Sequence, residues 1–338
     1  MQTKHRGRRP APIITVILLV LIGGGLLFVH WMDQREEAQE ALYAAENDVA
    51  VPVEKILTWN GQDYRYRHDI ETYLLIGLDK FTETRSDPDS FLNNQQADFL
   101  FLMIVDNTNR TFSALHINRD TMAKIYRYGL GGVRLNSYTG QLALAHTYGS
   151  GGRDSAQHTV DAVAMFLHDL PIDHYAALTM DAIPVLNDLV GGVEVFVEDD
   201  FSAADPTIEM GKTIRLKGKQ ALTFVRARFS MSDPTNTARM RRQRVYLDGL
   251  YTQLSEKLHT VDGFALRLAS RLADFGESDI TTDEMAALAE RLKDFRFNKI
   301  YTIAGEARRG EEFMEFYADE DALLAQIIEL FYEPLPEK

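Results

Sequence analysis

The feature that most constrains this chain is an uncharged segment of twenty residues near its N-terminus. Residues 11–30 are mostly apolar and carry no charge, and about 20 apolar residues suffice to cross the hydrocarbon core of a membrane. The ten residues before them contain four basic residues and no acid, which the positive-inside rule keeps in the cytoplasm. We therefore predict a cytoplasmic basic tail (1–10), a transmembrane helix (11–30) and a remainder that lies outside the cell membrane.

A cleaved signal peptide is the competing interpretation, because its layout is similar. The apolar run is long, the glycines at 23–25 are followed by further Leu and Phe, and no A-x-A cleavage site is present. These features favour a retained anchor. Residues 31–50 are rich in charge and predict a helical stalk, which leaves 51–338 as one large extracytoplasmic domain.

The overall composition narrows the function. The chain has 338 residues, a formal net charge of −14 and no cysteine. Zero cysteines exclude disulfides, zinc-thiolate sites, iron–sulfur clusters and cysteine nucleophiles. The acidic balance argues against a general nucleic-acid-binding protein, so no nucleic-acid partner is expected. Any cluster of arginines stands out against this background.

Residue patterns beyond residue 50 predict strands interleaved with helices, which indicates a mixed α/β sheet covered by helices. Asn60-Gly61 predicts a tight hairpin within 54–67, and strands 97–106 and 111–118 predict a second one. The other predicted strands are 73–78, 173–180, 193–197 and 299–303, and the predicted helices are 141–148, 155–168, 182–190, 217–223, 237–258 and 322–331. Beyond 258 only one strand is predicted.

Two aspartates flank the second hairpin. Asp98 begins the first strand and Asp120 lies just beyond the second, so antiparallel pairing brings both carboxylates to the open end of the hairpin. Adjacent carboxylates repel each other unless a cation lies between them or they share a proton. Mg²⁺, bound by one or two carboxylates plus phosphate oxygens, fits this arrangement, and Arg119 lets an anion approach. The alternative is that both aspartates only cap strand ends.

An arginine cluster follows further along the chain. Asn236 or Thr237 is the predicted N-cap of a helix, and arginines in its first turn oppose the helix macrodipole unless an anion binds there. Arginine forks match phosphate bidentately. The alternative is a solvated or salt-bridged basic face, against which the lack of nearby acids in the sequence counts. Arg134 is an isolated candidate of the same kind. The cluster comprises Arg226, Arg228, Arg239, Arg241, Arg242 and Arg244.

A series of motifs along the chain resembles the LytR-CpsA-Psr family. In order, they are YLLIGLD, QAD, INRDTM, RLNS, DHYAALTMDAIPVLNDLVGGVEV, GKQALTFVRAR and NTARMRRQR, within roughly residues 70–260. The resemblance implies an α/β/α sandwich with a long hydrophobic pocket for a lipid chain. It also implies a phosphotransferase that moves an anionic glycopolymer from a polyprenyl-diphosphate carrier to a sugar hydroxyl of peptidoglycan, at the outer face of the membrane.

The same resemblance implies roles for individual residues. Asp98 and Asp120 resemble the carboxylates associated with Mg²⁺, for which Mn²⁺ can substitute, and Arg119 beside them is expected to be catalytic. The residues expected to bind the pyrophosphate are Arg134, Arg226, Arg228, Arg239, Arg242 and Gln243.

Three positions depart from the family pattern. Gln96 stands where an arginine or lysine is usual, Asn118 where a proline is usual, and Asn236 where an aspartate is usual. Because Gln96 is neutral, this chain lacks one basic contact that the family pattern has. The departures bear on substrate preference more than on the class of reaction.

Three other functions stay open from the sequence. The chain could bind polyprenyl phosphates or wall polymer without catalysis, although retained aspartates count against a pure anion binder. It could also hydrolyse lipid diphosphates, with water in place of the sugar. A transcriptional attenuator is disfavoured, because only ten residues are expected in the cytoplasm.

Overall fold

The computed structural model describes residues 56–79, 92–129 and 132–336. The predicted basic tail, transmembrane helix and stalk lie outside these residues, as does most of the loop at 80–96. Within them, no helix combines the length and the apolar character that a membrane crossing requires. The chain divides into two units after Leu57, and the second, Thr58–Lys338, carries the sheet and the site described below.

A six-stranded sheet forms the centre of this unit. In spatial order its strands are β11 (Gly276–Ser278), β8 (His174–Thr179), β3 (Ile70–Leu78), β4 (Ala97–Asp106), β5 (Thr111–Ile117) and β12 (Arg296–Thr302). β8 runs parallel to β3 and β12 runs parallel to β5, whereas the other neighbours are antiparallel. The predicted mixed α/β fold with a mixed central sheet is therefore confirmed.

Apolar residues on both faces explain why β3, β4 and β5 lie at the centre. Leu74, Leu100 and Leu115 are fully buried. Because side chains along a strand alternate between the two faces of the sheet, the neighbours of these leucines along each strand face the opposite side of the sheet. Leu75 and Phe101 are among these, and they line an apolar cavity under the helices. Continuous apolar runs of this kind are typical of strands covered on both faces.

The helices that the structure describes are α1 (Arg153–Phe166), α2 (Ala182–Leu189), α3 (Lys219–Arg226), α4 (Asn236–Thr260), α5 (Phe264–Leu272), α6 (Thr282–Leu292) and α7 (Glu320–Phe331). Helices α2 to α6 share one hydrophobic cluster, in which Phe201, Phe224 and Phe264 are almost fully buried. The hairpin of β9 (Glu194–Phe196) and β10 (Thr213–Arg215) adds Val195 to it.

The predicted tight hairpin is confirmed. β1 (Ile56–Trp59) and β2 (Gln62–Tyr66) are joined by Asn60 and Gly61, whose φ angles are 50° and 79°. Such left-handed pairs match the twist of the flanking strands. A C-terminal strand, β15 (Tyr332–Pro334), pairs with β2.

Two further hairpins differ from the prediction. β6 (Met122–Tyr128) pairs with β7 (Arg134–Gln141), so the predicted helix 141–148 is wrong at its start and continues only as a 3-10 helix, Leu142–Thr147. β13 (Gly305–Arg309) pairs with β14 (Met314–Ala318) in the C-terminal part, where a single strand is predicted. All five residues of β13 are exposed, so this strand lacks the apolar alternation that identifies strands from sequence.

Candidate functional site

The candidate site lies at the edge of the sheet where β3 and β5 end and β4 begins. Leu100 pairs with Ile117, and continuing this register places Asp98 opposite Arg119. Both carboxylates therefore lie at the open end of the hairpin, but they are offset by one residue from direct pairing. The loop between β4 and β5 has four residues, and Arg110 in this loop adopts a φ of 51°.

Arg119 lies between the two predicted carboxylates. Its Nη1 forms an ion pair with Asp98 Oδ1, and its Nε lies 3.2 Å from Asp120 Oδ1. Nη2 donates a hydrogen bond of 2.7 Å to Gln96 Oε1. This guanidinium offsets part of the repulsion between the two acids, and burial lowers the pKa of Arg119.

Two more arginines reach the same carboxylates from the helical side. Arg228 Nη2 lies 3.5 Å from Asp120 Oδ2, and Arg239 Nη1 lies 3.3 Å from Asp98 Oδ2. Burial, together with the neighbouring Arg119 and Arg228, lowers the pKa of Arg239 to about 9. Three cations converge on two acids, so the cluster favours a further anion.

The remaining residues of the predicted cluster have different surroundings. Arg242 Nη1 lies 3.1 Å from Asp199 Oδ2 and its Nη2 donates to the carbonyl oxygen of Ala227, so Arg242 is tied to protein groups. Gln243 is buried at 5% exposure. The side chain of Arg226 is exposed and makes no hydrogen bond or ion pair with the residues that the structure describes. It is the cation of the cluster most available to a ligand.

The prediction that the arginines lack acidic partners is wrong. Asp199 pairs with both Arg241 and Arg242, and Asp98 and Asp120 pair with Arg239 and Arg228. These acids precede the start of α4 by 37 residues or more, so local sequence does not reveal them.

Arg134 is not brought together with the others. It pairs with Asp161 at 2.9 Å and lies over the Tyr126 ring at 4.4 Å. Among the residues placed by the structure, no contact joins it to the cluster. Its predicted role at the pyrophosphate therefore stays a prediction.

The N-cap of the arginine helix also differs from the prediction. Thr235 caps α4, and its Oγ1 accepts a hydrogen bond of 3.2 Å from the backbone N of Ala238. Asn236 is the first helical residue, and its side chain accepts from Arg239 Nε instead. Asn236 is thus engaged in the site and does not cap the helix.

The site contains a carboxylate that sequence reasoning missed. Asp79, the last residue of the YLLIGLD motif, follows β3 and accepts a hydrogen bond of 2.9 Å from the backbone N of Gln96. Burial raises the pKa of Asp79, although Arg119 and Arg226 oppose this shift. The signal in the sequence was an acid directly after a buried strand.

The C-terminal hairpin supports the site from behind. The backbone N of Phe316, on β14, donates a hydrogen bond of 2.9 Å to the carbonyl oxygen of Asp120. Gln141 Nε2 donates both to Asp120 Oδ1 at 3.2 Å and to the carbonyl oxygen of Met314 at 2.7 Å. A part of the chain without assigned chemistry thus holds Asp120 in place.

An apolar cavity of about 350 Å³ lies between the sheet and α4, α5 and α6. A second cavity, of about 220 Å³, shares Leu75, Leu247 and Leu250 with it. Gln243 and Val225 line the second cavity, so apolar space extends from the arginine helix into the interior. The first volume lies within the usual range for ligand pockets.

We expect His116, buried on β5, to make the protein less stable in acid. Burial lowers the pKa of His116 from 6.5 to about 3, with Arg244 and Arg239 adding to the shift. Between these values the unfolded chain takes up a proton that the folded chain refuses, so the free energy of unfolding falls as the pH falls.

His116→Phe should remove about 1.4 kcal/mol of this loss per pH unit below 6.5. The phenylalanine ring of the variant can pack against Phe99, because the ring centroids of Phe99 and His116 lie 5.0 Å apart. Denaturant unfolding at pH 7 and pH 4 measures the difference. An equal acid loss in the variant and the wild type would contradict the assignment.

Comparison with known proteins gives consistent matches. The model of the LytR_cpsA_psr family matches residues 29–326. The polyisoprenyl-teichoic acid–peptidoglycan teichoic acid transferase TagU of Enterococcus faecalis is 27% identical over 217 residues, covering 64% of this chain and 63% of that protein. The chain therefore matches less than two thirds of that relative's length.

A second relative and a solved structure match over a longer range. The protein of the same name from Bacillus cereus (strain AH820) is 24% identical over 316 residues, 92% of each chain. The crystal structure of B. subtilis TagV superposes with a TM-score of 0.59 at 23% identity, covering 78% of this chain and 97% of that one. The structural likeness shows a shared fold.

Proposed function

Because the chain belongs to the LytR-CpsA-Psr family, we propose that it is an extracytoplasmic phosphotransferase. It transfers an anionic glycopolymer from a polyprenyl-diphosphate carrier to a sugar hydroxyl of peptidoglycan. The observation that carries this proposal is the convergence of Arg119, Arg228 and Arg239 on two buried carboxylates beside an apolar cavity. The names of the relatives, which are teichoic acid transferases, support the same reaction.

The diphosphate of the carrier matches the arginine cluster, and its polyprenyl chain matches the apolar cavities. The diphosphate is an anion that offsets the repulsion among the clustered guanidinium groups, and exposed Arg226 can bind it directly. Gln243 lines the second cavity and stands on α4 with Arg239. A polyprenyl chain can therefore continue from the arginines into the apolar space.

The carboxylates fit a divalent cation shared with the substrate. Asp98 Oδ1 is buried and accepts no hydrogen bond, its contact being the ion pair with Arg119. Within the described ranges no three acidic or histidine side chains converge on a complete metal site, but Mg²⁺ is commonly bound by one or two carboxylates plus phosphate oxygens. Asp98 and Asp120, together with phosphate oxygens of the substrate, would hold Mg²⁺ or Mn²⁺. The bound ion would neutralise charge on the phosphates.

The reaction that follows is a displacement at phosphorus. The sugar hydroxyl oxygen forms a bond to the phosphorus that carries the glycopolymer, and the bond from that phosphorus to the bridging oxygen breaks. Polyprenyl phosphate leaves, and the hydroxyl proton passes to a carboxylate of the site or to a phosphate oxygen. Arg119, Arg228 and Arg239 stabilise the negative charge that develops on the phosphoryl oxygens.

We place the protein in the cell membrane as a single-pass protein with its N-terminus in the cytoplasm. Residues 11–30 would anchor it, and 51–338 would form the outer catalytic domain, with its core in about 70–260. The anchor keeps the site beside a lipid-borne donor and raises its effective concentration.

A transfer assay in liposomes with a lipid-linked donor and peptidoglycan acceptor tests the proposal. The double variant Arg226→Ala/Arg228→Ala should lose about 100-fold or more in rate, and chelation of divalent ions should abolish transfer until Mg²⁺ is restored. Arg291→Ala is the matched control, because Arg291 pairs with Glu71 in an ion pair outside the cluster.

Three outcomes would count against the proposal. Equal turnover by the double variant and the wild type would contradict it. Lipid binding that is indifferent to Mg²⁺ and releases no polyprenyl phosphate would indicate a non-catalytic binder. Release of polyprenyl phosphate without attachment of the polymer to sugar would indicate a lipid pyrophosphatase.

A further inference from the structure

Two buried asparagines connect the edge of the sheet to the arginine helix. Asn236 Nδ2 donates a hydrogen bond of 2.6 Å to Asn118 Oδ1, and each residue is 5% exposed. The same Asn118 oxygen accepts a hydrogen bond of 3.0 Å from the backbone N of Asp120. Asn118 thus ties the main chain at Asp120 to the first residue of α4.

Asn236 continues the connection to a guanidinium. Its Oδ1 accepts a hydrogen bond of 2.9 Å from Arg239 Nε. With Nε held there, Arg239 Nη1 and Nη2 point to Asp98, at 3.3 Å from Oδ2 and 3.2 Å from the carbonyl oxygen. A guanidinium has five N–H donors, so Arg239 retains donors for a ligand.

The two amides can adopt only one orientation. A rotated Asn236 amide would place its oxygen against Asn118 Oδ1 and its NH₂ group against the N–H of Arg239. A rotated Asn118 amide would place NH₂ against NH₂, and against the N–H of Asp120. Both rotations leave buried polar groups unpaired, which is unfavourable.

The amide of Asn236 is matched to that of Asn118. A carboxylate, which is usual at this position in the family, would accept from Arg239 Nε equally well. In this chain, however, it would face Asn118 Oδ1 with a second acceptor, because a carboxylate has no N–H to donate. The amide therefore satisfies both Arg239 and Asn118.

We propose that Asn118 and Asn236 are positioning residues that hold the Arg239 guanidinium in register with the main chain of Asp120 so that it is ready to bind a diphosphate. This inference rests on the proposed function. It adds that the site's arginine geometry depends on a matched amide pair, contributed by the end of β5 and the start of α4.

The test uses the full chain in detergent, with geranylgeranyl diphosphate as the probe. Its affinity is measured by calorimetry for the wild type, Asn118→Ala, Asn236→Ala, the double alanine variant and Asn236→Asp. Thermal unfolding of each variant is recorded in parallel. Asn187→Ala is the matched control, because Asn187 is fully buried and its amide bonds to Leu216 and Val193 in the helical cluster.

Each single alanine variant should weaken probe binding by about tenfold, and the double variant should lose little more than either single, since the two residues act through one connection. Asn236→Asp, which is almost isosteric, places a second acceptor against Asn118 Oδ1, so it should bind the probe about tenfold more weakly. Asn187→Ala should lower the unfolding temperature and leave affinity unchanged. A residue with a merely structural role would not separate stability from affinity in this way.

Independent, multiplying losses in the two alanine variants would overturn the proposal, as would wild-type affinity in Asn236→Asp. Either result, with a wild type that binds the probe, leaves the proposed function intact. A wild type that does not bind the diphosphate overturns both.

Discussion

Replacing Arg119 with alanine is expected to reduce transfer from a lipid-linked donor by about 1,000-fold or more, the scale seen when an arginine that stabilises a phosphoryl transition state is lost. Arg119 contacts both Asp98 and Asp120. Its removal leaves two buried carboxylates side by side, so we also expect a loss of about 3–5 kcal/mol in the free energy of unfolding.

The chain offers a matched control for this variant. Arg67 also lies between two carboxylates, with Nη2 at 2.8 Å from Asp69 Oδ2 and 2.6 Å from Asp106 Oδ2, but at the opposite end of β4. Arg67→Ala should lose stability and keep its transfer rate when both variants are assayed folded. If the two variants lose activity in parallel, the effect of Arg119→Ala is one of stability alone.

Filling the apolar cavity is expected to separate lipid recognition from anion recognition. Ala114 lies on β5 and lines the cavity of about 350 Å³. Ala114→Phe should occupy that space and reduce transfer from a long-chain polyprenyl donor by about tenfold or more, because each buried CH₂ contributes about 0.8 kcal/mol. Binding of inorganic pyrophosphate, which needs only the arginines, should stay unchanged.

The unfolding measurements distinguish this effect from misfolding. A cavity-filling substitution should leave the free energy of unfolding unchanged or raise it, whereas overpacking would lower it. Ala269→Phe fills the same cavity from α5 and tests the idea independently. Undiminished use of the long-chain donor by two stable variants would show that the lipid lies elsewhere.

Local patterns in the sequence were sufficient for much of the fold. The apolar run from 97 to 106 and the turn after it predict the β4–β5 hairpin, and Asn60-Gly61 predicts the first hairpin. The arginine helix, predicted over 237–258, is observed over Asn236–Thr260. Such features depend on residues close in sequence, so a pattern can reveal them.

Contacts between distant residues could not be read in this way. The β13 strand is exposed throughout and shows no alternation, yet its partner β14 supports Asp120. Arg242 pairs with Asp199, and Arg239 reaches Asp98 from the helix. Each of these contacts depends on how separate elements pack against each other, which the local periodicity of the sequence does not reveal.

The sequence by itself determined that the chain is an acidic α/β protein with a buried hairpin flanked by aspartates and an arginine-rich helix, because alternation, helical spacing and charge are local properties. Only the tertiary structure decided that Arg119 lies between the two acids. It also decided that Asn118 meets Asn236, 118 residues further along the chain, because hydrogen bonds and ion pairs in a buried site are set by the docking of the helix against the end of the sheet.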